Sequence, residues 1–430
     1  MITTSEAFNL NKVLKSLAVI SGSSISVKII GFFTVPLIAK IYGPENIGTI
    51  SVFLSILSIT GALIHLNYPV AINVVRYDYQ AKLLEVGSYI VFFINVVLLF
   101  LLFLFCEFLI GIDVTFNLGY YFHFIWPALL AKVYLDNSSY KISRFQAFNA
   151  SSVVMIISAI FGLITKVSLG YFSASVDSLL LATLCGYVFH SFLNNQVVKA
   201  NEYKLYLRRD TFKKLYLSLR FLFKERDYAL YRTPQSLVYY LSDSLPLLVI
   251  GMTYSMASAG LFGVAKTIID LPIKLFFSSF GQVITPFFSK KAHSGEDIKK
   301  LCIKVMLCGF FIMAPLFLIA YYLIPILFNI LFNSEWSGAI VFAQYLLLSS
   351  FGVFVCLPAI CILPIIGKQK VLYYFELIML AVKSMVIGYV LFNMVDVNLF
   401  VYLISLINFF GYLLLYVYFI LLFKSKDSRE

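Results

Sequence analysis

Residues 199–232, KANEYKLYLRRDTFKKLYLSLRFLFKERDYALYR, form the longest polar stretch of the chain and carry ten of its basic residues. On either side the 430-residue sequence is mostly apolar, so this stretch divides it into two halves. Working outward from it, Lys and Arg recur in alternate gaps between apolar runs. Upstream they are Lys12 and Lys15 before the first run, Arg76 and Lys82 after the second, and Lys141 and Arg144 after the fourth. Downstream they are Lys290, Lys291, Lys299 and Lys300 after the eighth, Lys368 and Lys370 after the tenth, and Lys424, Lys426 and Arg429 at the end. The gaps around Asp113, Asp177, Met256, Glu335 and Asp396 hold essentially none. Basic loops stay on the cytoplasmic side because translocating them is unfavourable. The alternation predicts an all-α polytopic membrane protein with about twelve transmembrane helices in two six-helix bundles and both termini cytoplasmic.

The predicted spans are 14–38, 46–70, 87–112, 118–138, 151–172, 178–198, 234–256, 260–288, 302–328, 338–364, 371–393 and 398–423. They group as an N-terminal bundle over 1–198, a basic cytoplasmic linker over 199–233 and a C-terminal bundle over 234–430. The linker is amphipathic in places, with Leu205, Phe212, Leu215, Leu219, Phe221 and Leu222 among its cations. Six spans bring the second half in with the orientation of the first, which predicts a parallel repeat about an axis along the membrane normal. Short echoes accompany it. Val35-Pro36-Leu37-Ile38, a turn with Gly48 and then Val52 match Leu245-Pro246-Leu247-Leu248, a turn with Gly260 and then Val264. The prolines within or near spans either kink helices that bend during a transport cycle or serve static packing.

Composition agrees: 61% of residues are hydrophobic and 13% charged, far from the balance of a soluble domain. Runs of about 18 apolar residues are long enough to cross a roughly 30 Å hydrocarbon layer. The net charge of +12 lies in the inward loops and therefore does not indicate nucleic acid; attraction to anionic membrane lipids follows from it. The 43 Phe and 29 Tyr read as lipid-facing and interfacial residues rather than sugar-stacking ones. Six cysteines without a CxxC pair or nearby His read as small buried hydrophobes, so neither a metal nor a cofactor is expected. The start of the chain shows no clear cleavage site and reads as a retained first span. A phosphate-binding loop, a nucleophile elbow and an H-E-x-x-H pair are all missing from the sequence. Outward loops are short, which argues against a glycosyl polymerase or ligase. The expectation is a protein that is not an enzyme.

Charges inside spans are the functional clue, because a central Lys or Asp costs roughly 2.5–3.5 kcal/mol to insert. Ser21, Ser24 and Lys28 share one face of the first span. Ser236, Tyr240 and Asp243 do so in the seventh. Lys266, Asp270 and Lys274 follow at four-residue steps in the eighth, and Lys383 is central in the eleventh. The sharp reading is a central, net-cationic cavity for an anionic head group, lined by Lys28, Ser24, Asp243, Lys266, Asp270, Lys274 and Lys383. The plain reading is interhelical ion pairing, which suits Lys132 and Asp136 best. Asp243 is open to either use, or to a proton or cation site. His65 and His190 are expected at the interface, and Lys40 and Lys166 are expected to snorkel.

The motif Tyr42-Gly43-Pro44-Glu45-Asn46-Ile47-Gly48 resembles the turn after the first span in the polysaccharide-transport branch of the multidrug/oligosaccharidyl-lipid/polysaccharide superfamily. Ala259-Gly260-Leu261-Phe262 and Gly367-Lys368-Gln369-Lys370 fit the same pattern. The resemblance implies a flippase for O-antigen or capsule repeat units in the bacterial plasma membrane. Its cargo would be an oligosaccharide joined through diphosphate to undecaprenol. A polysaccharide polymerase and a chain-length regulator would be candidate partners. The alternative within the same fold is a drug or cation antiporter, which would need acidic cavity residues.

Overall fold

The computed structural model describes residues 10–75, 77–105, 107, 116, 118–145, 147–201, 211–293, 298–363 and 368–424. Within these, side chains are described except at 10–25, 28, 148, 200–201, 211–214, 275–293, 298–302, 304–305, 308, 369 and 422–424. The described residues are helical with short connections. In order they form α1 (Leu10–Ile64), α2 (Tyr68–Ala71), α3 (Asp78–Leu104), α4 (Ile125–Arg144), α5 (Phe148–Phe172), α6 (Val176–Asn201), α7 (Thr211–Lys224), α8 (Thr233–Thr253), α9 (Met256–His293), α10 (Ile298–Leu331), α11 (Ser337–Ile362), α12 (Gln369–Asn393) and α13 (Val397–Lys424).

Helix α1 runs 55 residues. At 1.5 Å per residue a straight helix of that length would be about 80 Å long, far more than one bilayer crossing. Gly43 breaks it, with φ 72 and ψ 170, a conformation that the lack of a Cβ permits. Pro44 then takes the first position of the second piece, where its missing N–H costs no hydrogen bond. Among the described residues ten helical stretches are long and apolar enough to cross a membrane. The difference from the predicted twelve has two causes. The two pieces of α1 count as one, and α4 is too charged to qualify. The charges of α4 are nonetheless paired inside the protein: Lys132 with Asp136, Lys141 with Glu85, and Arg144 with Asp78. Arg144 also donates to the carbonyls of Ile72 and Val75, holding the turn after α2.

The two halves repeat their internal pairings. α1 packs on α5 as α8 packs on α12; α4 packs on α6 as α11 packs on α13; α5 meets α6 as α12 meets α13. Between the halves α1 packs against α9 more extensively than any other helix pair meets. The contact is reciprocal. A Cβ built on Gly48 would fall 1.7 Å from the Met256 carbonyl oxygen, and one built on Gly260 would fall 1.9 Å from that of Pro44. Each glycine therefore meets the backbone one turn before the other, as a two-fold crossing requires. In a bilayer such contact comes from small residues and close packing rather than from hydrophobic exclusion. Around it Ala39, Val52, Phe53, Ile250, Ala259 and Ala265 are fully buried.

Side-chain hydrogen bonds sort the connections by end. Asn46 reaches the Ala174 carbonyl, Tyr120 the Asp177 carboxylate, and Tyr254 the Val395 carbonyl, so the base-poor connections gather at one end. Asn67 bonds Thr233 and Tyr68 bonds the Leu222 carbonyl, at the other end with Arg144. The amphipathic helix α7 packs there against α3, with Leu222 over Gly87.

Candidate functional site

The local structure of α8 starts from Pro246. Lacking an N–H, Pro246 leaves the carbonyl of Ser242, four residues earlier, without its helical donor. In a membrane interior that oxygen needs another partner. Lys383 of α12 supplies it: Nζ donates to the Ser242 carbonyl and to Ser242 Oγ, both at 3.0 Å. The lysine is only 6% exposed, so its charge sits on the kink it satisfies. At the next residue, Lys266 of α9 donates to the Asp243 carboxylate at 2.5 Å and to its carbonyl at 3.1 Å.

These groups surround a cavity of about 400 Å³ bounded by α8, α9, α11, α12 and α13. Its lining includes Asp243, Lys266, Asp270, Lys274, Glu376 and Lys383, with Ser242, Ser349, Ser350 and Asn408. Half of the Asp243 side chain is open to this space although the residue is in mid-helix, so the cavity is wide enough for water. Five of the seven sequence-predicted site residues thus meet at one place. Ser24 and Lys28 lie in α1, and their side chains are outside the described residues.

The described lining bears on the expected charge of the cavity. The cavity is not net-cationic among the described residues: Glu376 balances the third lysine, giving three amines and three carboxylates. Glu376 is two helical turns before Lys383 on the same face of α12, a spacing that could have identified it. The ion pairing follows one of the alternatives open to Asp270, which has a lysine four residues away on each side. Asp270 joins Lys274 at 3.3 Å, while Lys266 crosses to Asp243. An acid N-terminal to its base is the better helical orientation, which accounts for the choice of Lys274 over Lys266. A further difference concerns His65, which is buried and 3.2 Å from Asp136 instead of lying at the interface. Lys132 is 3.6 Å from the same carboxylate and within electrostatic reach of Tyr187 and Tyr240. His65, Lys132, Asp136 and Tyr187 belong to the first half and do not line the charged cavity, while Tyr240 comes from α8.

The cavity continues toward the base-rich end of the protein. A second space of about 380 Å³ shares Tyr239, Ile360, Glu376 and Tyr412 with it and adds Arg232, Gln235, Ser236 and Tyr240. A third, of about 1270 Å³, shares Arg232, Gln235, Leu372 and Tyr373 with the second and adds Lys370. Arg232, Gln235, Tyr239 and Asp243 follow one another at steps of three or four, so one face of α8 lines the whole path. Arg232 and Asp243 are 11 residues apart, about 16 Å along the helix. No group of His, Cys, Asp and Glu suited to a metal ion occurs among the described residues.

The family described as "polysaccharide biosynthesis protein" matches residues 89–341. A search of curated proteins gives no match. The fold is that of solved membrane transporters. An inward-facing multidrug resistance MATE family transporter of the MOP superfamily is 14% identical, with 94% of this chain and 96% of that one aligned at a TM-score of 0.70. A MATE protein in complex with MaL6 is 12% identical, covering 96% and 97%, at a TM-score of 0.59. A MATE protein carrying a single proline-to-alanine substitution aligns over the same shares at 12% identity and a TM-score of 0.56.

Proposed function

Since the chain belongs to the polysaccharide biosynthesis protein family and is a multi-pass membrane protein of the MOP transporter fold, we propose that it is a flippase for diphosphate-linked lipid oligosaccharides. The observation that carries the reading is a water-accessible path, lined by Arg232, Lys266, Lys274 and Lys383, that reaches the middle of the bundle. A diphosphate head needs cations along its route, and lysine serves as a mobile point charge for phosphate. Without cargo the described charges of the cavity balance, three amines against three carboxylates. That lowers the penalty of the return step. On arrival, phosphate oxygens compete with Asp243 for Lys266 and with Asp270 for Lys274. The hydrocarbon tail remains in lipid and no covalent step is needed.

The base-rich end faces the cytoplasm in this reading, so cargo enters near Arg232 and leaves at the opposite end. The membrane is the bacterial plasma membrane, the lipid is undecaprenyl diphosphate, and the product is O-antigen or capsule. Site roles fall to Asp243, Lys266, Asp270, Lys274 and Lys383, with Ser24 and Lys28 completing the path from the first half. The three cavity carboxylates support a second reading, exchange of an organic cation for protons or metal cations. The two separate experimentally. Lys28→Ala and Lys274→Ala should each lower surface polysaccharide at least fivefold, with normal amounts of protein in the membrane. Normal glycan in both single variants and the double variant defeats the cavity assignment. Efflux of a cationic dye without any glycan phenotype favours the exchanger.

A further inference from the structure

We propose that the wide outer chamber at the base-rich end is an oligosaccharide-binding vestibule, in which tyrosines recognise the sugar before the diphosphate enters the charged cavity. The inference rests on the flippase reading and adds to it a site for the glycan. The chamber, about 1270 Å³, is the largest space of the path, three times the charged cavity. Tyr228, Tyr231, Tyr373 and Tyr374 line it together with Arg232, Gln235 and Asp227. A π-helical turn over Tyr228–Arg232 presents the first two tyrosines and the arginine. Such turns are uncommon and concentrate at functional sites. This one is held in place: Thr233 bonds the Tyr228 carbonyl, and Asn67 of the first half bonds Thr233.

The chemistry of the lining suits a glycan better than a lipid. A tyrosine ring offers a flat apolar face and a polar edge, matching a pyranose with its C–H face and rim of hydroxyls. Arg232 and Gln235 add planar donors, and Asp227 an acceptor, the few oriented polar groups a selective pocket needs. Tyr231 and Tyr374 are 73% and 59% exposed, and the Tyr374 ring packs against that of Tyr373 at 5.8 Å. Other exposed aromatics at this end, Tyr77, Tyr79, Tyr216 and Phe223, lie outside the chamber. Here four tyrosines converge on one opening that leads inward. On this proposal the tyrosines of the chamber serve the glycan rather than the lipid interface.

Order along α8 gives the mechanism its direction. Arg232 and Gln235 border both the chamber and the throat, so a bound glycan positions the diphosphate at the entrance to the path. Sugar selectivity is exercised at the mouth, and the inner cavity reads only charge.

The test uses the full chain in proteoliposomes with two probes: undecaprenyl diphosphate bearing no sugar, and the lipid-linked oligosaccharide extracted from cells that make this protein. Tyr231 and Tyr374 border only the outer chamber, so Tyr231→Ala and Tyr231→Ala/Tyr374→Ala should slow movement of the oligosaccharide lipid at least tenfold and change that of the bare lipid less than twofold. Tyr231→Trp should restore much of the loss from Tyr231→Ala, since a ring face is what matters. Equal loss on both probes, or no loss on either, overturns the vestibule while leaving the flippase reading intact. A wild-type protein that moves neither probe overturns that reading and the vestibule with it.

Discussion

Lys383 has two tasks that sequence alone could not separate. It is a buried cation on a face with Glu376, which suggests a binding role, and it caps the carbonyl that Pro246 leaves free. The second task makes a clean prediction. Lys383→Met should destabilise the protein by about 1–3 kcal/mol, the cost of an unsatisfied buried acceptor. Pro246→Ala restores a donor to the Ser242 carbonyl, so the same Lys383→Met change in that background should cost less than half as much. Thermal unfolding of the four proteins in detergent measures the coupling. Equal costs in both backgrounds would show that the lysine does not support the kink. At this scale the intramembrane charges were legible one by one, because each violates the apolar pattern. Their partners were not. Lys266 meets Asp243 across 23 residues of sequence and Glu376 comes from a different helix, so only packing brings the three acids and three amines together.

At the scale of elements, the crossing of α1 and α9 follows from two glycines that have no room for a methyl group. Gly48→Ala and Gly260→Ala should each lower stability by about 1–3 kcal/mol through overpacking, since the obstacle is backbone that cannot turn aside. The double variant should lose less than the sum, because either methyl alone already separates the helices. Gly31→Ala is the control: nothing lies within 4 Å of its Cβ position, and alanine favours the helix. Melting temperatures in detergent, with membrane levels in cells, check all four. If Gly48→Ala is as well tolerated as Gly31→Ala, the crossing is looser than drawn. The paired proline and glycine motifs of the two halves were readable from the sequence, and they mark equivalent helix pairs. Proline and glycine are 12 residues apart in the first half and 14 in the second, so the later turn is two residues longer. Element boundaries were harder. A single residue, Gly43, divides α1, between the spans 14–38 and 46–70 that the sequence set apart. α4, read from the sequence within the span 118–138, carries charges that are neutralised by partners on α3 and by its own i, i+4 pair.

For the molecule as a whole, the alternation of basic gaps carried the topology because it reports which connections share an end, and those ends are the ones the hydrogen bonds bring together. The cavity was less legible: it is built from five helices of one half, so a stripe on any one of them shows only a fifth of its wall. The structure is open at the Arg232 end and closed where Gly48 meets Gly260. On the proposed flippase reading, alternating access requires α1 and α9 to part at that closed end while the path narrows at the other. A covalent tie across the crossing should prevent this. The Cβ of Ser51 lies 3.3 Å from the Cβ position of Gly263, just under the usual span of a disulfide, so a small shift suffices to join cysteines placed there. In a background with the six native cysteines replaced, Ser51→Cys/Gly263→Cys should cross-link on oxidation and lose at least 90% of lipid transport in proteoliposomes. Reduction should restore it, and each single variant should transport normally under both conditions. The extent of cross-linking is read from a mobility shift after cleavage in the linker, which separates the halves unless the disulfide holds them. Full cross-linking with undiminished transport would mean that this crossing stays shut throughout the cycle. The cargo would then have to leave between other helices.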